Sequence, residues 1–502
     1  DEIVEGVGTL LYGVAVDTDH NLYVAQADAR NDANGRAGTQ KHGLAELENR
    51  AFLNQITAVD CSSGSCALPS RIELEPLLPD NPAPGTALAT PFALKVSDDN
   101  TTLIGTAASS NRLFVFDLES GSVTGRVSVG EVPRGLAIEN NAQGQAVKAW
   151  TLNVAANSVS VVDLADPVNP VLTNTIELND PTSQVIKEGR IAFNAADASS
   201  TGTFSCESCH SDGHTDQLLW VLETPVCDVD GCTQIPPRLT MPIRGLRDTQ
   251  PYHWDGIPGD PFGGNNTANI NGDSPVNCEI DDQSTCTRAL LDGSLATTMC
   301  DVGNCGTNDE GKDGFLDADE RDAMAKFLLS VPFPPAQKRP LNNAVTARAK
   351  NGFFEFNFVK DCGNCHKMPF LVSSNTPGTG MDAPTWRGAY DRWMITPQAR
   401  LNIIDLMNIA QIPNSFPERN IWLLAGATPD IWEMVLQGST GFPGAFARQV
   451  TLNQDTANDA LTSQLLDGLE MAADEGAILL QGEGLLLDPP GTEEIALGFV
   501  DG

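Results

Sequence analysis

Short strand-like runs dominate the first 180 residues. In stretches such as "NRLFVFDL" (Asn111 to Leu118) and "NSVSVVDL" (Asn157 to Leu164), apolar residues alternate with polar ones or cluster in fours. Gly, Asn and Asp punctuate these runs, which is a strand pattern rather than a helical one. After Pro181 the period changes. "VIKEGRIAFNAAD" (Val185 to Asp197) places Val185, Ala192 and Phe193 near one helical face, and "AKNGFFEFNF" (Ala349 to Phe358) does the same. "ADERDAMAKFLLSVP" (Ala318 to Pro332) predicts another helix, with Ala323, Met324, Phe327 and Leu328 on one side and Pro332 ending it. From Ala472 the alternation returns, predicting a β region that continues past the last residue.

The strand-like part repeats. "PFALKVSDDNTTLI" (from Pro91) matches "PRGLAIENNAQGQAVKAW" (from Pro133), and "NRLFVFDLESG" (from Asn111) matches "NSVSVVDLADP" (from Asn157), a period of 42 to 46 residues. That is the length of one propeller blade. "YGVAVDTDHNLYVAQA" (from Tyr12) repeats the first half, so about three blades are visible. The phrase from Asn157 to Leu164 resembles the blade ending of YVTN-type β-propellers. Closed rings ordinarily take four to eight blades. Three therefore imply upstream residues, completion by other parts of the chain, or an open arrangement.

Charge narrows the partners. With 66 acidic against 30 basic residues in 502, the formal charge is −36. This argues against nucleic acid and anionic membranes, which require cationic footing. No run of 18 apolar residues predicts a spanning helix. The chain opens on "DEIVEGVGTL", without a basic or apolar leader, so any signal peptide is expected to have been removed.

Two copies of Cys-x-x-Cys-His carry the chemistry: Cys206, Cys209 and His210 in "SCESCHSDGH", and Cys362, Cys365 and His366 in "DCGNCHKMPF". Two thioethers fix a porphyrin edge while the next imidazole reaches its iron, so each copy reads as a covalent haem c site with His210 or His366 as proximal ligand. A redox disulfide lacks the adjacent His, and zinc wants a second Cys/His pair. Around each motif the same phrases recur. Lys187, Gly189, Phe193 and Asn194 upstream answer Lys350, Gly352, Phe356 and Asn357. Arg244, Gly245 and Asp248 downstream answer Arg387, Gly388 and Asp391. Shared order argues for duplicated cytochrome c domains. The remaining eight of the 12 cysteines fall as close neighbours, Cys61 with Cys66, Cys227 with Cys232, Cys278 with Cys286, and Cys300 with Cys305. Four small-loop disulfides are expected, the alternative being free thiols, and they suit a periplasmic, cell-surface or extracellular location.

Between the motifs lies "LRDTQPYHWDGIPGD" (Leu246 to Asp260). A haem c motif, an aromatic-Trp-Asp-Gly phrase and a second haem c motif together resemble the bacterial di-haem cytochrome c peroxidase and MauG family, over roughly residues 185 to 440. The resemblance implies that Trp254 relays electrons between two haems, with His253 beside it in the catalytic region; the alternative is that Trp254 packs against porphyrin. It also implies either peroxide reduction or oxidation of a partner's aromatic residue. Distal ligand candidates are His253, Met241 and His214 for the first haem, and Met381, Met394 and Met407 for the second. His214 also reads as a surface imidazole, and each Met as core filler. The chain departs from the family at "DRWMITPQAR" (Asp391 to Arg400), where an aromatic-His-Asp-Gly phrase is usual. No counterpart of the family's catalytic Gln and Glu is evident.

"DEGKDGFLDADE" (Asp309 to Glu320) matches a calcium loop through Asp309, Asp313, Asp317 and Glu320, with Gly311 a mismatch; an acidic capped turn is the alternative. The expected architecture is multidomain. Residues 1–182 form propeller-like blades. A first mainly α-helical cytochrome c domain follows at 183–340, carrying the disulfides and the calcium candidate, and a second at 341–450. Residues 451–502 form a linker and a short C-terminal β segment. Expected cofactors are two covalent haem c groups, with Ca2+ as a further candidate. The expected function is a di-haem c-type cytochrome moving electrons between its haems, with hydrogen peroxide or a redox protein as partner. The alternative is a non-enzymatic electron carrier, surface-assembled through its β modules.

Overall fold

The computed structural model describes residues 3–33, 44, 47–221, 238–247, 249–254, 256–263, 275–300, 306–333, 336, 338–340, 344–364, 366, 385–391, 428–438, 449–474, 478–488 and 491–498. They divide between two compact units, residues 1–243 with 284–330, and residues 244–283 with 331–502.

The first unit begins with three four-stranded antiparallel sheets, consistent with a propeller-like region. Each is a meander in chain order. The first holds β1 (Leu10–Val16), β2 (Leu22–Ala29), β3 (Phe52–Val59) and β4 (Ser70–Glu73). The second holds β5 (Pro91–Val96), β6 (Thr102–Ala107), β7 (Arg112–Asp117) and β8 (Ser122–Ser128), and the third β9 (Pro133–Asn140), β10 (Ala146–Asn153), β11 (Ser158–Asp163) and β12 (Val171–Glu177).

The middle sheet explains why "RLFVFD" does not alternate. Leu103, Phe114 and Phe116 face the first sheet, packing with Ala25, Ile56 and Leu94. Ile104, Leu113 and Val115 face the third, with Ala149 and Val162. A sheet covered on both faces needs apolar residues at consecutive positions, whereas the outermost strand β12 is exposed along its length. The repeat extends to backbone detail. Asn49, Asn111 and Asn157 all adopt positive φ just before the third strand of their sheets, a conformation Asn tolerates better than most residues.

Helices α1 (Gln184–Asn194) and α4 (Ala318–Ser330) pack together in the same unit. A Cβ at Gly189 would lie 2.1 Å from the Ala323 carbonyl oxygen, so the two backbones meet where only glycine fits. A fifteen-residue helix, α3 (Gln283–Thr297), joins them, with Thr287 donating to the Ala325 carbonyl at 3.0 Å.

The second unit repeats this crossing. α5 (Ala347–Phe354) packs on α6 (Pro429–Gln437), and a Cβ at Gly352 would lie 1.8 Å from the Asp430 carbonyl oxygen. Both helices start on a Thr cap, Thr346 and Thr428, and α6 adds Pro429 in its first turn. The unit closes with α7 (Ala460–Asp474) and an antiparallel hairpin, β15 (Gln481–Asp488) with β16 (Gly491–Gly498). The strands expected after Ala472 thus begin only beyond α7.

Of the expected disulfides, Cys61–Cys66 is formed. Cys278, Cys286 and Cys300 are each disulfide-bonded as well. Cys227, Cys232 and Cys305 lie outside the described residues. The bridges fit an oxidising, non-cytoplasmic location. Among the described residues no helix is long and apolar enough to cross a membrane.

Candidate functional site

The first Cys-x-x-Cys-His motif sits on a single helical turn, α2 (Cys206–Cys209), with His210 as its C-terminal cap. Ser208 Oγ accepts from the Ser205 amide at 3.0 Å, and the His210 amide closes the turn onto the Cys206 carbonyl at 3.1 Å. Residues three apart on a turn share a face. Accordingly Cys206, Cys209 and His210 are half-buried, while the intervening Glu207 and Ser208 are buried. The two thiols are free rather than joined to each other. Burial pushes the Cys206 thiol up to about 12 and raises the Cys209 thiol as well, the opposite of the depressed thiol expected in a redox dithiol. Two unjoined thiols and an imidazole on one side of a turn fit thioether attachment of a haem with His210 beneath its iron.

The turn is clamped onto the sheets. Asn49 Nδ2 donates to Ser200 Oγ at 2.6 Å, Asn54 Nδ2 to the Thr203 carbonyl at 2.9 Å, and Ser109 and Ser205 share a hydroxyl contact at 3.1 Å. Arg134 of β9 reaches Glu207 at 2.6 Å and Asp212 at 2.5 Å. Burial raises the Glu207 carboxyl, with Arg134 opposing it, and burial lifts Asp216 to about 6. The Asp216 amide donates to the Cys209 carbonyl at 2.8 Å, and its carboxylate accepts from Trp220 Nε1 at 2.8 Å.

From Arg238 the chain returns to this region. β14 (Arg238–Leu239) pairs with β13 (Leu219–Trp220), Thr215 donates to the Thr240 carbonyl, and the Ile243 amide donates to the Gly213 carbonyl at 3.1 Å. Met241 therefore lies on a strap hydrogen-bonded to the loop leaving the first motif. His214 is half-buried in that loop.

Tyr252, His253 and Trp254 belong to the second unit. Tyr252 and Trp254 are buried, and His253 has positive φ in a turn closed by the Tyr252 amide on the Pro258 carbonyl. The first motif and the Tyr-His-Trp phrase thus fall in different compact units.

At the second motif the His366 amide donates to the Cys362 carbonyl at 2.8 Å, closing the same backbone ring as in the first. Cys362 is half-buried, as its counterpart Cys206 is. Cys365, Met381, Met394 and Met407 lie outside the described residues. His366 meets Trp386 edge-on at 5.7 Å between ring centroids, and Trp386 in turn contacts Phe356 and Trp432. Trp386 and Trp432 are aromatic neighbours that sequence reading missed. They stand 20 and 66 residues from His366, and only the α5–α6 crossing brings Trp432 near.

The duplicated phrase keeps its asparagine bond in both places and differs in its phenylalanine contact. Phe193 lies 6.4 Å from the His210 ring, and Phe356 packs with Trp386, the ring touching His366. Asn194 and Asn357 both donate Nδ2 to the carbonyl four residues back, each at 2.9 Å. Of the downstream phrases, Gly245 and Gly388 both have positive φ, and Phe333 packs against Gly245 while Arg387 stacks on its ring at 4.4 Å. Asp248 lies outside the described residues.

Arg321 of α4 ties the calcium-like loop to α3. Arg321, fully buried, donates to the carbonyls of Leu316 and Asp313 and to Asp292 at 2.8 to 2.9 Å. Asp317 and Glu320 cap each other's amides, and Asp309 accepts from the Ala318 amide. Among the described residues no three His, Cys, Asp or Glu side chains converge as a metal ion would require. Burial works against a charged Asp292, but Lys312, Arg321 and Arg288 hold its carboxyl below the usual range.

No family model matches the chain, and no curated protein matches it. Among solved structures, a hydrazine synthase chain from Kuenenia stuttgartiensis is 14% identical over 36% of this chain and 39% of that one, with a TM-score of 0.22. The chain thus spans well under half of that relative. A xenon-pressurised Kuenenia stuttgartiensis hydrazine synthase structure is 18% identical over 52% of this chain and 88% of that one, with a TM-score of 0.31. Apo AztD from Citrobacter koseri is 14% identical over 35% of this chain and 36% of that one, with a TM-score of 0.21. Periplasmic gluconolactonase from Pseudomonas aeruginosa is 14% identical over 34% and 43%, with a TM-score of 0.23.

Proposed function

We propose that the chain is a di-haem c-type cytochrome that moves electrons between two covalently attached haems, one in each compact unit. The observation that carries this reading is the arrangement of the first motif: two unjoined, half-buried thiols and a half-buried His210 on one side of a turn, with the residues between the thiols buried. The matching backbone closure at His366, and the glycine crossing ahead of each motif, support a second site of the same kind.

Cys206 and Cys209 would hold the first haem and Cys362 and Cys365 the second, with His210 and His366 as proximal ligands. Each haem supplies one-electron chemistry when bound, and the protein tunes it through axial ligation and burial. Met241, on the strap beside the first motif, would be a distal candidate for the first haem, as would His253 and His214. A His/Met iron would conduct electrons, and a haem with an open position would be the one to meet an oxidant such as hydrogen peroxide, as the resemblance to the peroxidase and MauG family implies. Trp254 is proposed as the relay and His253 as its neighbour in that path. If neither iron has an open position, the chain is an electron carrier instead.

A pyridine haemochrome assay of the wild-type protein should give two haem c per chain. Cys206→Ala with Cys209→Ala should lose one, and Cys362→Ala with Cys365→Ala the other. Fewer than two in the wild type would refute the reading. If Met241 is the distal ligand, Met241→Ala should abolish the sulfur-to-iron charge-transfer band of one oxidised haem. A high-spin fraction that appears on half-reduction and reacts with peroxide separates peroxidase from carrier.

A further inference from the structure

The three sheets present one residue each, from the same repeat position, toward the first motif. The aligned phrases are "YGVAV", "FALKV" and "RGLAI", and their first residues are Tyr12 of β1, Phe92 of β5 and Arg134 of β9. At that position the pairing with the next strand is interrupted in every sheet: between Leu11 and Val14, between Pro91 and Leu94, and between Pro133 and Gly135. A bulge re-aims a side chain that regular pairing would send to a sheet face. The same irregularity at the same place in three repeats is a built feature.

The three side chains form a stack, and β5 lies between β1 and β9. The rings of Tyr12 and Phe92 are 5.2 Å apart, and the Arg134 guanidinium lies 5.0 Å over Phe92. Arg134 then grips the motif on both sides of its second cysteine, through Glu207 and Asp212. The Tyr12 hydroxyl is buried near Glu207, Cys209 and Asp216, and it finds no hydrogen-bond partner among the described residues.

We propose that this rim makes the propeller-like blades one wall of the first haem site, with Arg134 as the positioning residue that sets that haem's reduction potential. The proposal rests on the di-haem reading and deepens it. Arg134 is a cation held beside Glu207, the second residue before Cys209, and Asp212, the second residue after His210. In a site shielded from water, a fixed positive charge favours the reduced iron, and fixed carboxylates favour the oxidised one.

The test is spectroelectrochemistry of the full chain, resolving the two midpoint potentials, on wild type, Arg134→Gln, Arg134→Lys and Asp212→Asn. Asp212 is 72% exposed at its side chain, so its variant should fold even if the Arg134 variants do not. The expected result is that Arg134→Gln lowers one midpoint, Asp212→Asn raises the same one, and Arg134→Lys restores most of the wild-type value. The other haem should stay unchanged throughout. If Asp212→Asn leaves both midpoints unmoved, or if the variants shift both haems alike, the proposal is overturned. Haem content is measured alongside: fewer than two haems in the wild type would sink the di-haem reading itself, whereas two haems with unmoved potentials would sink only the role of the rim.

Discussion

Glu75 carries the sharpest pH signature in the sheets. It is buried against Arg50 at 3.2 Å, both side chains 1% exposed, and it also accepts from Asn54 and the Leu88 amide. Burial lifts its carboxyl to about 7 despite Arg50. The folded protein therefore holds a proton that the unfolded chain releases near pH 4.3, so this group's contribution is complete below that value and is lost as pH rises through about 7. Glu75→Gln should remove that slope, and chemical denaturation at about pH 5 and about pH 8 would show it as a smaller loss of stability in the variant than in the wild type. Arg321 gives a second expectation at this scale. Replacing it with Met strands the carbonyls of Asp313 and Leu316 and should cost about 3 kcal/mol in the same assay. Residue chemistry was unevenly legible. Cys-x-x-Cys-His announces itself because every atom it needs is local. Arg321 does not, since its partners are two backbone carbonyls of the acidic loop and Asp292 of α3, none of which a residue pattern displays.

Two helix crossings decide how the elements stand. Gly189 and Gly352 each let one helix touch the backbone of another, leaving no room for a methyl group. Gly189→Ala should weaken the first unit and Gly352→Ala the second, each by about 1–3 kcal/mol, because an added carbon in a tight contact forces the backbones apart. Calorimetry resolving two transitions would check this: each variant should lower one and leave the other. Loss of stability in both transitions from either change would contradict the assignment of each crossing to its own unit. The duplicated phrase was readable because its glycine and asparagine do the same jobs in both places. The partner helix was not readable in the same way. α4 was anticipated from its own periodicity, but α6 carries no phrase matching α4. Likewise, the bulges that aim Tyr12, Phe92 and Arg134 leave only a repeat position in the sequence, and nothing in the strand pattern says which way that position points.

At the scale of the whole molecule the propeller-like sheets and the first motif form one compact unit, so on the proposed reading the blades would be part of the first haem's setting. The sequence showed three repeats and a change of period at Pro181. It did not show that hydrogen bonds from Asn49, Asn54 and Ser109 would tie the residues beyond that change back to the sheets. Net charge adds the last prediction. At −36, the molecule surrounds itself with a potential that attracts cationic partners and repels anionic ones. If the haems exchange electrons with a soluble redox protein, a lysine-rich donor should react about tenfold or more faster at low ionic strength than at about 0.5 M, where the Debye length is only a few ångströms. An acidic donor should show the reverse trend. Stopped-flow reduction with both donors across a salt series would measure this, and a rate insensitive to salt for both would mean that the exchange site lies outside the molecule's overall field, on a locally neutral patch.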